Sequence, residues 1–257
     1  MKKTVLSIML VFFTAVIGLS SCADAAVKRY RVVVVKEYPH DEGSYTQGLF
    51  FDGGRLYEST GQKGESKFRE VDINSGKPVR NLDFAKKYFA EGSVMFGGEL
   101  FILTWTSRVA FVYDAATLKF KQAYRYPREG WGITTDGRQL IASDGSSKLF
   151  FMDSKFNVKK TVVVKLDGKS VQYLNELEYI DGKIWANVYT SDMIVIINPD
   201  DGRVEATVDC TGLLPEKLRD DRTDVLNGIA YNPETKKTYL TGKYWKRLYE
   251  IKLEEIK

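Results

Sequence analysis

One pattern occurs five times along this chain, and it restricts the fold more than any other feature. A polar or aromatic residue stands beside glycine or another turn residue. Alternating apolar residues, a glycine-rich turn and a second strand follow. The units open at Gln47-Gly48-Leu49-Phe50, Glu91-Gly92-Ser93-Val94, Trp131-Gly132-Ile133, Asn175-Glu176-Leu177 and Asn227-Gly228-Ile229. Four of them turn at Asp52-Gly53-Gly54, Gly97-Gly98, Asp136-Gly137 and Asp181-Gly182, and the fifth at Asn232-Pro233-Glu234. Successive starts lie 44, 40, 44 and 52 residues apart, the length of a four-stranded propeller blade.

The runs inside each unit are β-branched and aromatic with no sustained helical period. Second strands are expected at Arg55-Leu56-Tyr57-Glu58, Glu99 to Leu103, Gln139 to Ala142, Lys183 to Ala186 and Thr238 to Leu240. Third strands follow, as at Ala110 to Asp114 and Ile194 to Ile197. The last unit stops after Leu248-Tyr249-Glu250-Ile251, one strand short, while Tyr30 to Val35 forms a strand with no blade of its own. Pairing the two removes an exposed sheet edge. The chain is therefore predicted to be all-β, a five-bladed β-propeller whose last blade is closed by the N-terminal strand. Short helical segments are expected around Phe84 to Tyr88 and after Leu214-Pro215.

Residues 1–22 read as a signal peptide: Lys2-Lys3 precede an apolar run from Val5 to Leu19 that is short for a membrane span. Leu19-Ser20-Ser21-Cys22 resembles a bacterial lipobox, which would make Cys22 a lipid anchor, whereas Ala23-Asp24-Ala25-Ala26 suits ordinary cleavage. Both outcomes export the protein, to the periplasm or cell envelope. Residues 23–28 form a short linker and residues 29–257 a single propeller domain, expected to be monomeric. The net charge of +4 is spread along the chain, which predicts no nucleic-acid binding and no membrane contact beyond the anchor. His40 is the single histidine, so multi-histidine zinc sites are excluded. Cys210 reads as a small buried hydrophobe.

The innermost strands of a propeller line a central channel, so equivalent positions of the five units converge. The unit openings supply Gln47, Glu91, Trp131, Asn175 and Asn227; the ends of the second strands supply Thr60, Trp105, Asp144, Tyr189 and Lys243. Purely structural positions would be small and alike. These are amides, carboxylates, a lysine and large aromatics, the composition of a pocket with apolar walls and a few polar groups. Simpler roles compete at some of them: Asp144 beside Gly145-Ser146-Ser147 can cap a turn, Asn227 can satisfy buried backbone, and Trp185 alternates into the core. Glu91 and Lys243 resist such readings, because charges brought to a channel need partners.

With these residues in place the chain resembles the plant- and bacterial-type glutaminyl-peptide cyclotransferases. The likeness is carried by Tyr38-Pro39-His40-Asp41, Tyr45-Thr46-Gln47-Gly48-Leu49, Phe89-Ala90-Glu91-Gly92, Leu103-Thr104-Trp105, Glu129-Gly130-Trp131-Gly132, Leu174-Asn175-Glu176-Leu177-Glu178, Trp185 to Tyr189, Leu226 to Ala230 and Thr241-Gly242-Lys243. It implies a five-bladed propeller that converts N-terminal glutaminyl residues of peptides and proteins to pyroglutamate, releasing ammonia. Active residues would fall on Gln47, Glu91, Asn175 and Lys243, with Trp105, Trp131, Tyr189, Tyr45 and Phe89 binding substrate. Glu91 would carry the proton, Lys243, Asn175 and Gln47 would donate to the carboxamide oxygen, and no metal or other cofactor is called for. Tyr189 stands where plant members have tryptophan and Tyr45 where phenylalanine is common, changes that bear on substrate preference. His40 is given a structural role. Two other readings are retained: a Ca²⁺-dependent lactonase or hydrolase using Glu91, Asn175, Asn227 and Asp144, and a non-enzymatic envelope scaffold.

Overall fold

The computed structural model describes residues 26–256, so the leader, Cys22 and the first half of the linker lie outside the described residues. β1 (Lys28–Pro39) leads into blade 1, formed by β2 (Thr46–Asp52), β3 (Arg55–Thr60), β4 (Lys67–Asp72) and β5 (Lys77–Asp83). Blade 2 holds β6 (Ala90–Phe96), β7 (Glu99–Thr104), β8 (Val109–Asp114) and β9 (Phe120–Arg125). Blade 3 holds β10 (Ile133–Thr135), β11 (Leu140–Ser143), β12 (Lys148–Met152) and β13 (Val158–Val163), followed by a small hairpin of β14 (Lys165–Leu166) and β15 (Lys169–Ser170). Blade 4 holds β16 (Leu174–Ile180), β17 (Lys183–Val188), β18 (Met193–Ile197) and β19 (Val204–Asp209). Blade 5 holds β20 (Leu226–Asn232), β21 (Lys237–Gly242) and β22 (Arg247–Glu255).

The fourth strand of blade 5 is β1, antiparallel to β22 from Tyr30–Glu255 to Pro39–Arg247. The start of β1 also pairs parallel with β19, Lys28 opposite Ala206 and Arg31 opposite Asp209, so one strand joins blades 4 and 5. The sequence pattern did not foretell this second pairing. Lys86 and Lys87 form a single hydrogen-bonded turn, closed by Tyr88 N–H on the Ala85 carbonyl, in place of the helix expected around Phe84 to Tyr88. Glu216–Leu218 is one turn of 3-10 helix after Pro215.

Each gap between adjacent blades holds its own apolar cluster. Phe50, Phe68 and Leu100 fill the one between blades 1 and 2, Phe101, Leu140 and Phe150 the next, Ile141, Leu177 and Ile197 the third. Trp185, Cys210, Leu226 and Trp245 pack between blades 4 and 5, and Leu49, Tyr239 and Leu248 close the ring. Burying these side chains stabilises the ring by roughly 1.5–3 kcal/mol each.

The glycines beside the unit openings let neighbouring inner strands touch. A Cβ on Gly48 would lie 2.7 Å from the Ser93 nitrogen, one on Gly92 2.6 Å from the Trp131 oxygen, and one on Gly132 2.1 Å from the Asn175 oxygen. Blade 4 has Glu176 at this position. Its carboxylate reaches across the axis and accepts from the backbone N–H groups of Leu49 (3.3 Å) and Ile229 (2.9 Å). Glu178, one turn of the pleat further, accepts from Tyr231 N–H at 2.9 Å. Burial drives both carboxyls up, that of Glu178 to about 8.

That shift has a sign. Between pH 4.5 and about 8 the folded protein retains the Glu178 proton that the unfolded chain has lost, so stability falls as pH rises through this window. Glu178→Gln keeps an acceptor for Tyr231 and cannot ionise. Thermal melts at pH 5 and pH 8 should show the variant losing less stability than the parent, by a few kcal/mol as an order of magnitude. Identical losses would mean that Glu178 is not the group responsible.

Candidate active site

Strand register explains why the unit openings face the channel. In blades 1, 2, 4 and 5 the pairing between the first two strands slips at Thr46–Gly48, Ala90–Ser93, Leu174–Leu177 and Leu226–Ile229. Each slip is a β-bulge, one extra residue that re-aims a side chain. The bulges contain Gln47, Glu91, Asn175 and Asn227. In blade 3, Trp131 and Gly132 precede the strand and pair with Ser143 through backbone hydrogen bonds.

A second repeated feature aims the other half of the site. The N–H groups of Gly61, Trp105, Tyr189 and Lys243 donate to the carbonyls of Tyr45, Phe89, Tyr173 and Val225, one equivalent bond in each of four blades. The position expected at Thr60 is thus Gly61. Thr60 is buried, and its hydroxyl accepts from Lys67 N–H. A Cβ on Gly61 would lie 2.3 Å from the Phe89 ring, so the missing side chain makes room for that aromatic. After three of these strand ends the chain turns through left-handed residues, Gln62 (φ 82°), Thr190 (φ 66°) and Tyr244 (φ 59°). β-Branched Thr190 is strained in this region, and strain of this kind collects around sites.

The result is a cavity of about 290 Å³ lined by Tyr45, Gln47, Gln62, Phe89, Glu91, Trp105, Trp131, Asn175, Tyr189 and Lys243. All nine residues named from the sequence as catalytic or substrate-binding therefore meet there. Gln62 was missed; its signal was its place next to a second-strand end. Asp144 does not line the cavity and accepts from Ser146 N–H, which makes it the turn cap. Asn227 sits behind the wall. Its amide donates to the Thr46 carbonyl at 2.8 Å and to Gln47 Oε1 at 3.3 Å, leaving the Gln47 N–H groups for the cavity. The four oxygen ligands of the Ca²⁺ reading are therefore not assembled around one point.

The aromatic rings form a belt. Tyr45 meets Phe89 edge-on at 5.9 Å, Phe89 meets Trp105 at 5.5 Å, and Trp131 meets Tyr189 at 5.7 Å. Charged groups bridge the two remaining joints. Lys243 Nζ lies 4.5 Å from the Tyr45 ring centre and 4.9 Å from that of Tyr189. Across the cavity, Glu129 Oε2 accepts from the indole N–H of Trp105 at 2.8 Å and of Trp131 at 3.2 Å. Glu129 was quoted in the sequence without a role. It occupies the position two residues before the unit opening, which Tyr45 and Phe89 fill in blades 1 and 2.

Glu91 is 4% exposed and Lys243 2%. Burial pushes the Glu91 carboxyl well above the usual range, Lys243 opposes this and Glu129 adds to it. Burial likewise pulls Lys243 down, against the charges of Glu91 and Asp224. Asn175 brings a buried Oδ1 that has no hydrogen-bond partner among the described residues. Burial raises the Tyr45 hydroxyl, and Asp224 adds to the effect, so it stays protonated.

His40 lies outside this cavity in a buried network. Its Nδ1 hydrogen-bonds the Trp245 carbonyl at 2.7 Å and its Nε2 meets Glu58 at 3.1 Å. Burial alone would raise Glu58, but Arg69 and His40 hold it at about 2. Glu58 also accepts from Thr46, and Arg69 bonds Ser44 and Asp41. The network thus pins the loop that presents Tyr45.

A family model described as glutamine cyclotransferase matches residues 6–253. A glutaminyl-peptide cyclotransferase of Arabidopsis thaliana is 39% identical over 240 residues, 91% of this chain and 75% of that protein. The crystal structure of Myxococcus xanthus glutaminyl cyclase superposes with a TM-score of 0.84 at 33% identity, covering 90% of this chain and 100% of the other. By sequence along nearly its whole length, this chain belongs to the glutamine cyclotransferase family.

Proposed function

We propose that this cavity closes an N-terminal glutaminyl residue into pyroglutamate with Glu91 as the proton carrier. The chain is a glutaminyl-peptide cyclotransferase, an acyltransferase that acts on peptides beginning with glutamine. The observation that carries the assignment of roles is that a buried carboxylate and a buried lysine, from blades 2 and 5, face one aromatic-lined cavity.

An α-amine with a pKa near 8 is mostly protonated at neutral pH and needs a base before it can attack. Glu91 takes that proton. The freed nitrogen attacks the side-chain carboxamide carbon, and the carbonyl oxygen becomes an oxyanion facing the N–H groups of Lys243, Gln47 and Asn175. Collapse of the tetrahedral intermediate re-forms the carbonyl and breaks the bond to the amide nitrogen. That nitrogen leaves as ammonia with the proton that Glu91 returns. The carboxylate so regenerated takes the surplus proton of the attacking nitrogen and passes it to the departing ammonia, so that the lactam keeps a single N–H and ammonium is released. Trp105, Trp131 and Tyr189 hold the side-chain methylenes in the folded conformer and exclude water.

The test is ammonia release with stoichiometric pyroglutamate from a Gln-initiated dipeptide. No release is expected from its Nα-acetylated form, and turnover should be unchanged after dialysis against EDTA. Release from the acetylated peptide would exclude attack by the α-amine, and loss of activity with EDTA would restore the Ca²⁺ reading. Export to the periplasm or envelope, with Cys22 lipidated, is a further part of this proposal and rests on residues 1–22. Mass spectrometry of the mature N-terminus decides it: a diacylglyceryl Cys22 supports the anchor, and a free Ala26 or Val27 replaces it with simple secretion.

A further inference from the structure

Trp105 is the loosest part of the belt. It is 38% exposed, and its packing within the belt is one edge contact with Phe89. A side chain so open to solvent would sample several rotamers, yet catalysis on a small flexible substrate needs a fixed wall. Trp131 is held from behind, where the absence of a Cβ on Gly145 leaves room for its ring: that atom would lie 2.5 Å from the indole. Glu129 ties the two indoles together through a single carboxylate oxygen.

We propose that Glu129 is a positioning residue for the cyclisation: it locks Trp105 and Trp131 into one wall and places behind that wall the negative charge that holds the substrate's α-ammonium. This rests on the cyclotransferase reading above. An indole that donates its N–H to a carboxylate carries more electron density on its face, which strengthens its attraction for a cation. Glu129 and Lys243 then occupy opposite joints of the belt, one side drawing the ammonium and the other the carboxamide oxygen. This polarity orients the glutaminyl residue before the chemistry begins. The charged groups that face Glu91 are Lys243 and Glu129, so the Glu129 charge also keeps Glu91 protonated to higher pH.

The experiment compares the full chain with Glu129→Gln and Glu129→Ala, using a Gln-initiated dipeptide and acrylamide quenching of tryptophan fluorescence. Trp185 and Trp245 are core residues and give a constant background. The alanine variant should raise KM about tenfold with a smaller change in kcat, and should make the tryptophans more accessible to quencher. The glutamine variant retains an acceptor without the charge. It should restore low quenching, and the acidic limb of kcat/KM should move to lower pH because Glu91 loses a like-charged neighbour. Unchanged KM, quenching and limb would overturn the proposal. So would losses of activity in both variants that merely follow a lowered Tm with the limb in place. If the parent protein releases no ammonia, the cyclotransferase reading fails instead, and the quenching comparison still reports whether Glu129 fixes the indoles.

Discussion

Glu91→Gln is expected to leave the propeller folded and to lower kcat for a Gln-initiated dipeptide by about three orders of magnitude, within the range of general acid–base catalysis. Glutamine has the shape of glutamate and can still accept a hydrogen bond from the substrate ammonium, but it cannot take a proton. Stability should change little. Glu91 is buried, and burial is the main reason its carboxyl lies well above the ordinary range. Removing a charge that burial disfavours is offset by the loss of the opposite charge that favours buried Lys243, so Tm should stay close to that of the parent. Lost activity with retained stability marks a group kept for chemistry. Ammonia release and a thermal melt on the same sample measure both, and turnover near that of the parent would refute the role.

Lys243→Met should lower kcat by about a hundred- to a thousandfold, the loss seen when one oxyanion donor is removed. Methionine keeps an unbranched stem between the Tyr45 and Tyr189 rings, so the belt survives while the cation is lost. The pH profile gives an independent sign. Lys243 is the charge that opposes the upward shift of Glu91, so without it the acidic limb of kcat/KM moves to higher pH, opposite to the displacement expected for Glu129→Gln. A profile that stays in place would mean that the two groups do not share a field.

The propeller was legible because its signals are local: an opening residue beside glycine, a period-2 apolar run and a turn, five times over. The closure of blade 5 by β1 followed from a strand with no partner and a blade one strand short. The parallel pairing of β1 with β19 left no trace, since it depends on where two distant segments end up in space. Convergence of Gln47, Glu91, Trp105, Trp131, Asn175, Tyr189 and Lys243 on one cavity was legible from repeat position. Tyr45 and Phe89 came from the family resemblance, and the roles of all nine still await the experiments above. The slip from Gly61 to Thr60 has a specific cause. The same one-residue bulge occurs in blades 2, 4 and 5, where Trp105, Tyr189 and Lys243 marked the strand end, whereas the glycine in blade 1 has no side chain to mark it. Asp144 stood in a repeat position, but Ser146 was close enough to turn its carboxylate back on the loop. Glu129 was hidden because its counterparts Tyr45 and Phe89 are aromatic, so a carboxylate there matched no pattern. The bulges themselves were invisible, and they are what points the polar residues inward.

The central claim is that side chains from all five blades grip one glutaminyl residue in a single orientation. A crystal structure of the Glu91→Gln protein soaked with a Gln-initiated dipeptide tests this most directly. The α-nitrogen should lie within hydrogen-bond reach of residue 91, with the carboxamide oxygen turned to Lys243, Gln47 and Asn175 and the methylenes between the indoles. A dipeptide bound outside the belt, or one whose carboxamide points away from Lys243, would contradict it.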